Sequence, residues 1–135
     1  MQPLFADILL VDDDAGIREA FRDALDDEGF QVATAVDGSD ALRYLQSMPP
    51  PRLIILDLMM PGMDGWHFLR LQREDPALKL IPVVVLSAQM LTEAEAAALH
   101  VALYLRKPVK MLSLLMIVES YCRPGAEDMV REAEM

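Results

Sequence analysis

Three short runs of uninterrupted apolar residues constrain the fold more than any other feature of this chain. They span residues 8–11 (Ile-Leu-Leu-Val), 53–56 (Leu-Ile-Ile-Leu) and 83–86 (Val-Val-Val-Leu). Strands that are apolar at every position are typical of a parallel sheet with helices on both faces. Parallel neighbours need long crossover connections, so helices are expected between the runs.

The segments between these runs have helical patterns. Ile17, Phe21 and Leu25 recur at every fourth position of a predicted helix over 15–28, and Thr92 with Glu95 forms a capping box for another. Ser39 is the predicted N-cap of the second helix. This second helix carries Ala41, Leu42 and Leu45. The remaining predicted elements are strands at 31–35 and 103–105 and helices at 66–73, from 92 to about 100, and at 110–122. Five strands alternating with five helices predict a doubly wound α/β sheet.

Length and composition favour one domain that does not bind nucleic acid. The chain has 135 residues, of which 53% are hydrophobic, and a formal net charge of −10. This charge argues against direct binding of DNA or RNA and against adhesion to anionic membranes. The N-terminus lacks the basic flank of a signal peptide, and no segment has the roughly 20 apolar residues of a membrane helix. With its single cysteine, Cys122, expected to be a buried thiol, we expect a cytoplasmic protein.

Polar groups follow the predicted strands. Asp12 and Asp13 follow the first run, and Asp57 ends the run at 53–56. Ser87 and Lys107 follow the fourth and fifth strands. Because the carboxyl ends of parallel strands lie at one edge of the sheet, these groups are expected to converge there.

Their chemistry indicates a divalent cation and phosphoryl transfer. Two carboxylates about 4 Å apart repel by a few kcal/mol, so a group of three needs a cation or shifted pKa values. Oxygen ligands suit Mg²⁺. Asp57 could then attack a phosphoryl group, with Lys107 neutralising the transferring oxygens and Ser87 donating to them. His67 and His100 do not have zinc-ligand spacing and are expected to be helical surface or packing residues.

Four segments together resemble the receiver domain of response regulators, the phospho-accepting module of two-component signalling. The segments are Leu10-Val11-Asp12-Asp13, Asp57 to Gly65 (Asp-Leu-Met-Met-Pro-Gly-Met-Asp-Gly), Val85-Leu86-Ser87-Ala88 and Tyr104-Leu105-Arg106-Lys107-Pro108. The similarity covers about residues 6–122. It implies a flavodoxin-like five-stranded sheet with the strand order 2-1-3-4-5.

The resemblance also implies a role for each matching position. Asp57 corresponds to the phosphorylated aspartate, and Asp12 and Asp13 to the acidic pair that holds Mg²⁺. Met59 occupies the position whose backbone carbonyl is also a metal ligand. The other implied roles are a hydroxyl switch at Ser87, an aromatic switch at Tyr104, an invariant lysine at Lys107, a small residue beside the phosphate at Ala88 and a cis peptide bond before Pro108.

The implied activity is that of a signalling switch, with autodephosphorylation as the only catalysis that the resemblance implies. A sensor histidine kinase or a phosphotransfer protein would phosphorylate Asp57. The face formed by the fourth helix, fifth strand and fifth helix would then change its affinity for an unknown downstream effector. Residues 1–122 would form the receiver domain, and 123–135 an acidic C-terminal extension or the stub of a linker.

Two segments depart from the family pattern. The family usually has Gly-Ala and two polar residues before the aromatic position, whereas this chain has His100-Val101-Ala102-Leu103, so the turn must form without glycine. The last helix is apolar on more than one face, although a surface helix normally buries one stripe. One explanation is ordinary packing with scattered exposed groups. The other is a homodimer, or a partner, that covers the second face.

Three other functions are compatible with parts of the pattern. A haloacid-dehalogenase-type phosphatase also uses a strand-end aspartate, but Gly16 occupies the place of its Thr or Val. A flavodoxin-like flavin binder would have a Ser/Thr/Gly-rich phosphate loop instead of Asp12-Asp13-Asp14. A receiver-like docking module that is never phosphorylated would not need the acidic group.

Overall fold

The computed structural model describes residues 5–60 and 62–122. Pro61 and the predicted extension 123–135 therefore lie outside the described residues. The elements are β1 (Ile8–Val11), α1 (Ala15–Asp27), β2 (Val32–Ala35), α2 (Gly38–Ser47), β3 (Leu53–Asp57), α3 (Gly65–Glu74), β4 (Val83–Ser87), α4 (Glu93–Ala98), β5 (Leu103–Arg106) and α5 (Met111–Cys122).

The five strands form one sheet in the order β2-β1-β3-β4-β5, and every neighbouring pair is parallel. The predicted doubly wound, flavodoxin-like architecture is therefore confirmed. The three central strands are buried at every position. The edge strand β5 is partly exposed along its length.

Alternate residues of each central strand face two separate hydrophobic cores. Leu9 and Val11 of β1 pack with α2 and α3 on one face of the sheet. Ile8 and Leu10 pack on the other face with Leu25 of α1 and with α5. This two-sided burial explains why the strands are uninterrupted apolar runs instead of alternating patterns. No helix among the described residues is long and apolar enough to span a bilayer.

Side-chain caps are present at the starts of α1, α2, α3 and α4, and the cap of α2 differs from the prediction. The capping box of Thr92 and Glu95 is present at α4. The prediction of Ser39 as the N-cap of α2 was wrong, because Asp37 caps that helix by accepting a hydrogen bond from the backbone N–H of Asp40 at 2.8 Å. The first residue of α2 is Gly38, whose N–H donates to the Met63 carbonyl at 3.0 Å and whose lack of a Cβ allows this close approach, so α2 begins one residue before Ser39.

The turn between α4 and β5 also differs from the prediction. Helix α4 ends at Ala98, so His100 is not helical but lies in the turn with φ of +51°. Among residues with a Cβ, histidine is one of the types enriched in this left-handed region. His100 thus makes the turn for which the family pattern has glycine.

A buried glutamine closes the loop between α3 and β4. The Nε2 atom of Gln72 donates to the carbonyl oxygens of Leu78 at 2.8 Å and Ile81 at 3.1 Å. Gln72 itself is 3% exposed. Without this amide, both hydrogen bonds would be lost inside the protein, and an unsatisfied buried polar group costs about 1–3 kcal/mol.

We expect Gln72→Ala to lower the free energy of unfolding by about 2 kcal/mol, because it removes the donor for both carbonyl groups. The matched control is Gln46→Ala, the same change at an exposed position of α2, for which we expect a change of less than about 0.5 kcal/mol. Urea denaturation of the three proteins measures both. Equal effects of the two substitutions would show that Gln72 does not hold the loop.

Candidate functional site

Three carboxylates meet at the carboxyl edge of the sheet. Asp12 and Asp13 follow β1, and Asp57 is the last residue of the neighbouring strand β3. One carboxylate oxygen from each lies within 4.8 Å of the other two. Asp12 and Asp57 are buried, whereas Asp13 is exposed. The group therefore opens to solvent on the side of Asp13.

Lys107 bridges the two buried carboxylates. Its Nζ atom lies 3.2 Å from Oδ2 of Asp12 and 3.3 Å from Oδ2 of Asp57. Burial lowers the pKa of Lys107, but attraction to Asp12 and Asp57 outweighs it, so the pKa is raised. Lys107 is therefore charged at neutral pH, and one cation faces three carboxylates.

The pKa of Asp57 is raised in spite of this lysine. Burial raises it most, and the hydrogen bond from the backbone N–H of Met59 and the charge of Lys107 lower it only in part. The Met59 N–H donates to Oδ1 at 3.1 Å. Ionised Asp57 is thus held in a site that lacks enough positive charge, which is the electrostatic condition for binding a cation.

Ser87 lies on the strand next to Asp57. It ends β4, where Asp57 pairs in register with Leu86. The Ser87 hydroxyl is fully buried and accepts a hydrogen bond from the backbone N–H of Gln89 at 3.1 Å. Its backbone carbonyl accepts from the N–H of Lys107 at 2.8 Å. A main-chain hydrogen bond therefore links the residue that carries the hydroxyl, at the end of β4, to the lysine that follows β5.

Tyr104 lies one strand further out and does not belong to the carboxylate group. Its half-buried ring packs against the core on the α2–α3 side of the sheet. Its hydroxyl donates to the backbone carbonyl of Gln89. Tyr104 thus ties β5 to the same loop that contacts the Ser87 hydroxyl.

The first residue of α3 lies against the backbone of Asp57. A Cβ atom added at Gly65 would lie 2.8 Å from the Asp57 carbonyl oxygen and 2.7 Å from the Cα of Leu58. The Gly65 N–H also donates to the Leu58 carbonyl at 3.0 Å. Only glycine allows this approach, so Gly65 fixes where the chain leaves Asp57.

An open, mostly apolar groove of about 490 Å³ begins beside Lys107. It lies between α1 and the segment that follows β5. It is lined by Gly16, Ile17, Ala20, Phe21, Ala88, Lys107, Pro108 and Val109. The Lys107–Pro108 peptide bond is cis, as the family resemblance predicts.

Sequence reasoning had assigned no role to two residues of this region. The guanidinium of Arg18 donates to the Asp12 carbonyl, and Gln89 joins Ser87 to Tyr104 through its backbone. The sequence signal for Arg18 is its position, because it is a basic residue one turn into the helix that follows Asp12, Asp13 and Asp14. The contact of Gln89 has no sequence signal, because it uses only main-chain atoms.

The chain is similar to known proteins along most of its length. The Response regulator receiver domain family matches residues 8–119. An uncharacterized 14.6 kDa protein in the sodA1 3' region of Leptolyngbya boryana is 39% identical over 118 residues, covering 86% of this chain and 89% of that protein. The chain spans only about half the length of DNA-binding response regulators that it also matches.

Solved receiver structures have the same fold. Chemotaxis protein CheY4 of Vibrio cholerae superposes with a TM-score of 0.78 at 32% identity, over 87% of this chain and 98% of that chain. The receiver domain of sensor histidine kinase PA1611 from Pseudomonas aeruginosa superposes with a TM-score of 0.77 at 25% identity, over 87% of this chain and 98% of that chain. That structure was solved with a magnesium ion coordinated in its active site cleft. The chain therefore belongs to the response regulator receiver domain family, whose members are signalling modules of two-component systems.

Proposed function

We propose that this protein is a phospho-accepting switch in which Asp57 receives the phosphoryl group. The observation that carries the proposal is the group of Asp12, Asp13 and Asp57 with Lys107 bridging the two buried members. A structural role alone would not explain it, because a buried carboxylate with a raised pKa lowers stability at neutral pH.

The donor set fits Mg²⁺. Asp12, Asp13 and Asp57 would supply carboxylate oxygens, and Met59 its backbone carbonyl. Three carboxylates and one lysine leave excess negative charge, and oxygen-only ligands are those that Mg²⁺ prefers. The magnesium in the cleft of the PA1611 receiver domain supports this assignment. When bound, the ion would neutralise charge on the transferring phosphoryl group.

Asp57 would act as the nucleophile. One of its carboxylate oxygens forms a bond to phosphorus while the bond from phosphorus to the donor breaks, and the donor keeps that electron pair. Lys107 already donates to Asp57, so the same ammonium group can contact the incoming phosphoryl oxygens. The Ser87 hydroxyl would then donate to the acyl phosphate. Attack by water on phosphorus, an autodephosphorylation, would return Asp57 to its free carboxylate.

The phosphodonor would be a sensor histidine kinase or a phosphotransfer protein. The exposed carboxylate of Asp13 marks the open side of the site, and the apolar groove beside Lys107 gives a partner surface next to it. The exposed Ala88 leaves room between them. We propose a cytoplasmic protein in which residues 1–122 are the receiver domain and 123–135 an acidic extension or linker stub.

The signal would leave through α4, β5 and α5. Ser87 and Tyr104 contact the same residue, Gln89, through its N–H and its carbonyl. A Ser87 hydroxyl drawn towards a phosphoryl group would release or move Gln89, and Tyr104 would follow. The unidentified downstream effector would bind this face with altered affinity.

A second copy of the chain would cover the outer stripe of α5. Leu114 and Val118 are fully buried in the core, whereas Leu112 is 71% and Met116 65% exposed on the other side of the helix. Two such stripes can bury each other about a twofold axis. The neighbouring edge strand β5 adds a partly exposed Leu103.

Acetyl phosphate with Mg²⁺ should add one phosphoryl group to the protein, and Asp57→Asn should abolish the addition because it removes the nucleophile. Intact-mass spectrometry measures the addition. Asp27→Asn, which removes a charge from an exposed residue of α1, is the control and should be phosphorylated normally.

With beryllofluoride and Mg²⁺, the unmutated protein and Asp27→Asn should show NMR shift changes at Gln89 and Tyr104. Asp57→Asn should show none, and neither should any of the three proteins without Mg²⁺. Failure of the unmutated protein to react or to respond would favour a docking module that works without phosphorylation. Turnover of a generic phosphomonoester would instead favour a phosphatase.

Asp57→Asn should raise the thermal midpoint of the metal-free protein at pH 7. The pKa of Asp57 is raised in the folded state, so the folded protein binds more protons than the unfolded chain between the ordinary carboxyl pKa and the raised one. Ionised Asp57 therefore lowers stability above this window, and the penalty disappears below it. The difference between the variant and the wild type should shrink as the pH falls towards about 4.

Circular dichroism melts in EDTA measure this difference, with Asp27→Asn as the exposed control that should change the midpoint little at either pH. A lower midpoint for Asp57→Asn at pH 7 would contradict the stated origin of the raised pKa.

Light scattering at high micromolar concentration should give a dimer mass in the presence of beryllofluoride and Mg²⁺. Leu112→Lys should return it to a monomer, because a charge would be buried in the interface. The control is Leu80→Lys, the same change at a leucine that is 82% exposed in the loop before β4. A monomer under all conditions would exclude self-association through α5.

A further inference from the structure

Asp12 has all four of its polar atoms in hydrogen bonds. Its N–H donates to the Ala35 carbonyl at 3.1 Å, and its Oδ1 accepts from the Asp14 N–H at 2.9 Å. Its Oδ2 contacts Lys107, and its carbonyl oxygen accepts from Nη1 of Arg18 at 2.8 Å. The first three contacts involve the end of β2, the loop after β1 and Lys107. The fourth comes from a side chain that reaches back from α1.

The direction of the Asp12 carbonyl also determines how the chain enters Asp13. It belongs to the peptide group that ends at the Cα of Asp13, and that group is planar. A donor that fixes the direction of this carbonyl therefore fixes the direction in which the chain enters Asp13. Because Asp13 is the exposed member of the three carboxylates, its direction depends on this peptide plane more than on packing.

We infer that Arg18 is a positioning residue for the divalent-cation site, which orients the Asp12–Asp13 peptide so that both carboxylates face the ion. This inference rests on the proposed function, because it assumes that the carboxylates bind Mg²⁺. Residues that hold metal ligands in place typically change metal affinity by about 10–100-fold when they are removed.

The local structure of α1 makes Arg18 suited to this role. Asp14 caps the helix by accepting from the Ile17 N–H at 3.0 Å, and the Arg18 N–H donates to the Asp14 carbonyl at 2.9 Å. The backbone of Arg18 is thus fixed relative to the loop that its side chain contacts. Its guanidinium is permanently charged and has five donors in a rigid plane, so it can hold a carbonyl in one direction.

The chain provides a matched control on the same helix. Arg22 lies one turn after Arg18, and its Nε atom lies 3.9 Å from the exposed Asp23. Substitution of either arginine by methionine removes one positive charge and keeps the aliphatic stem. Only Arg18→Met removes the donor to the Asp12 carbonyl.

The test is the dissociation constant of Mg²⁺, measured from Trp66 fluorescence or from NMR shifts of residues 12–14, in the full chain. We expect Arg18→Met to weaken Mg²⁺ binding by about tenfold or more and Arg22→Met by less than about twofold. The difference should persist in about 0.5 M salt, where an effect of charge alone would be largely screened. Arg18→Lys, which keeps the charge but not the planar fork, should stay weaker than the wild type in high salt.

A second readout needs no metal. In EDTA the amide resonance of Asp13, which shares its peptide group with the Asp12 carbonyl, should shift in Arg18→Met and not in Arg22→Met. Equal Mg²⁺ affinities for the two methionine variants, or a loss that salt removes, would overturn the inference. If Arg18→Met did not fold, the Mg²⁺ affinity of Arg18→Lys in high salt, compared with that of the wild type, would test the inference instead. Absence of Mg²⁺ binding by the wild type would instead overturn the proposed function.

Discussion

The burial of the Asp12 and Asp57 carboxylates beside Asp13 is the constraint on which the rest of this structure depends. The parallel sheet brings the ends of β1 and β3 together, and the second core beneath them removes water from two of the three carboxylates. One lysine does not compensate, as the raised pKa of Asp57 shows. The two hydrophobic cores supply the stability that this charged edge lacks, so the uninterrupted apolar strands and the strained acidic site are two parts of the same arrangement.

The segments at the carboxyl edge depend on one another through backbone contacts as much as through side chains. Lys107 and Ser87 are joined by a main-chain hydrogen bond, and Gln89 joins Ser87 to Tyr104. Helix α1 contributes both to the acidic group and to the groove. Arg18 contacts the Asp12 carbonyl, and Phe21 lines the groove beside Lys107. A partner that binds in the groove would therefore contact the same helix that holds the peptide group before Asp13.

The sequence predicted the sheet and the convergence of Asp12, Asp57 and Lys107, because both follow from the pattern of apolar residues and from the parallel order of the strands. Apolar runs identify buried strands, and parallel order alone brings their carboxyl ends together. Details that depend on local competition were harder to predict. Asp37 and Ser39 are both residue types that cap helices well, and the packing of Gly38 against Met63, which is distant in sequence, accompanies the earlier start. The left-handed conformation of His100 was not predicted, because the helical pattern of α4 continues up to this residue. The contacts of Gln89 with Ser87 and Tyr104 have no sequence signal, because Gln89 contributes only main-chain atoms.

The close approach of Gly65 has a mechanical consequence. The first residue of α3 lies directly against the Asp57 carbonyl, so the backbone on that side of Asp57 is closely packed. The opposite side is different, since Ala88, Gln89 and Met90 in the loop after β4 are exposed and have room to move. A displacement of the backbone at Asp57 would therefore meet packed main-chain atoms on the α3 side and an exposed loop on the β4 side, so Gly65 limits the directions in which this strand end could move.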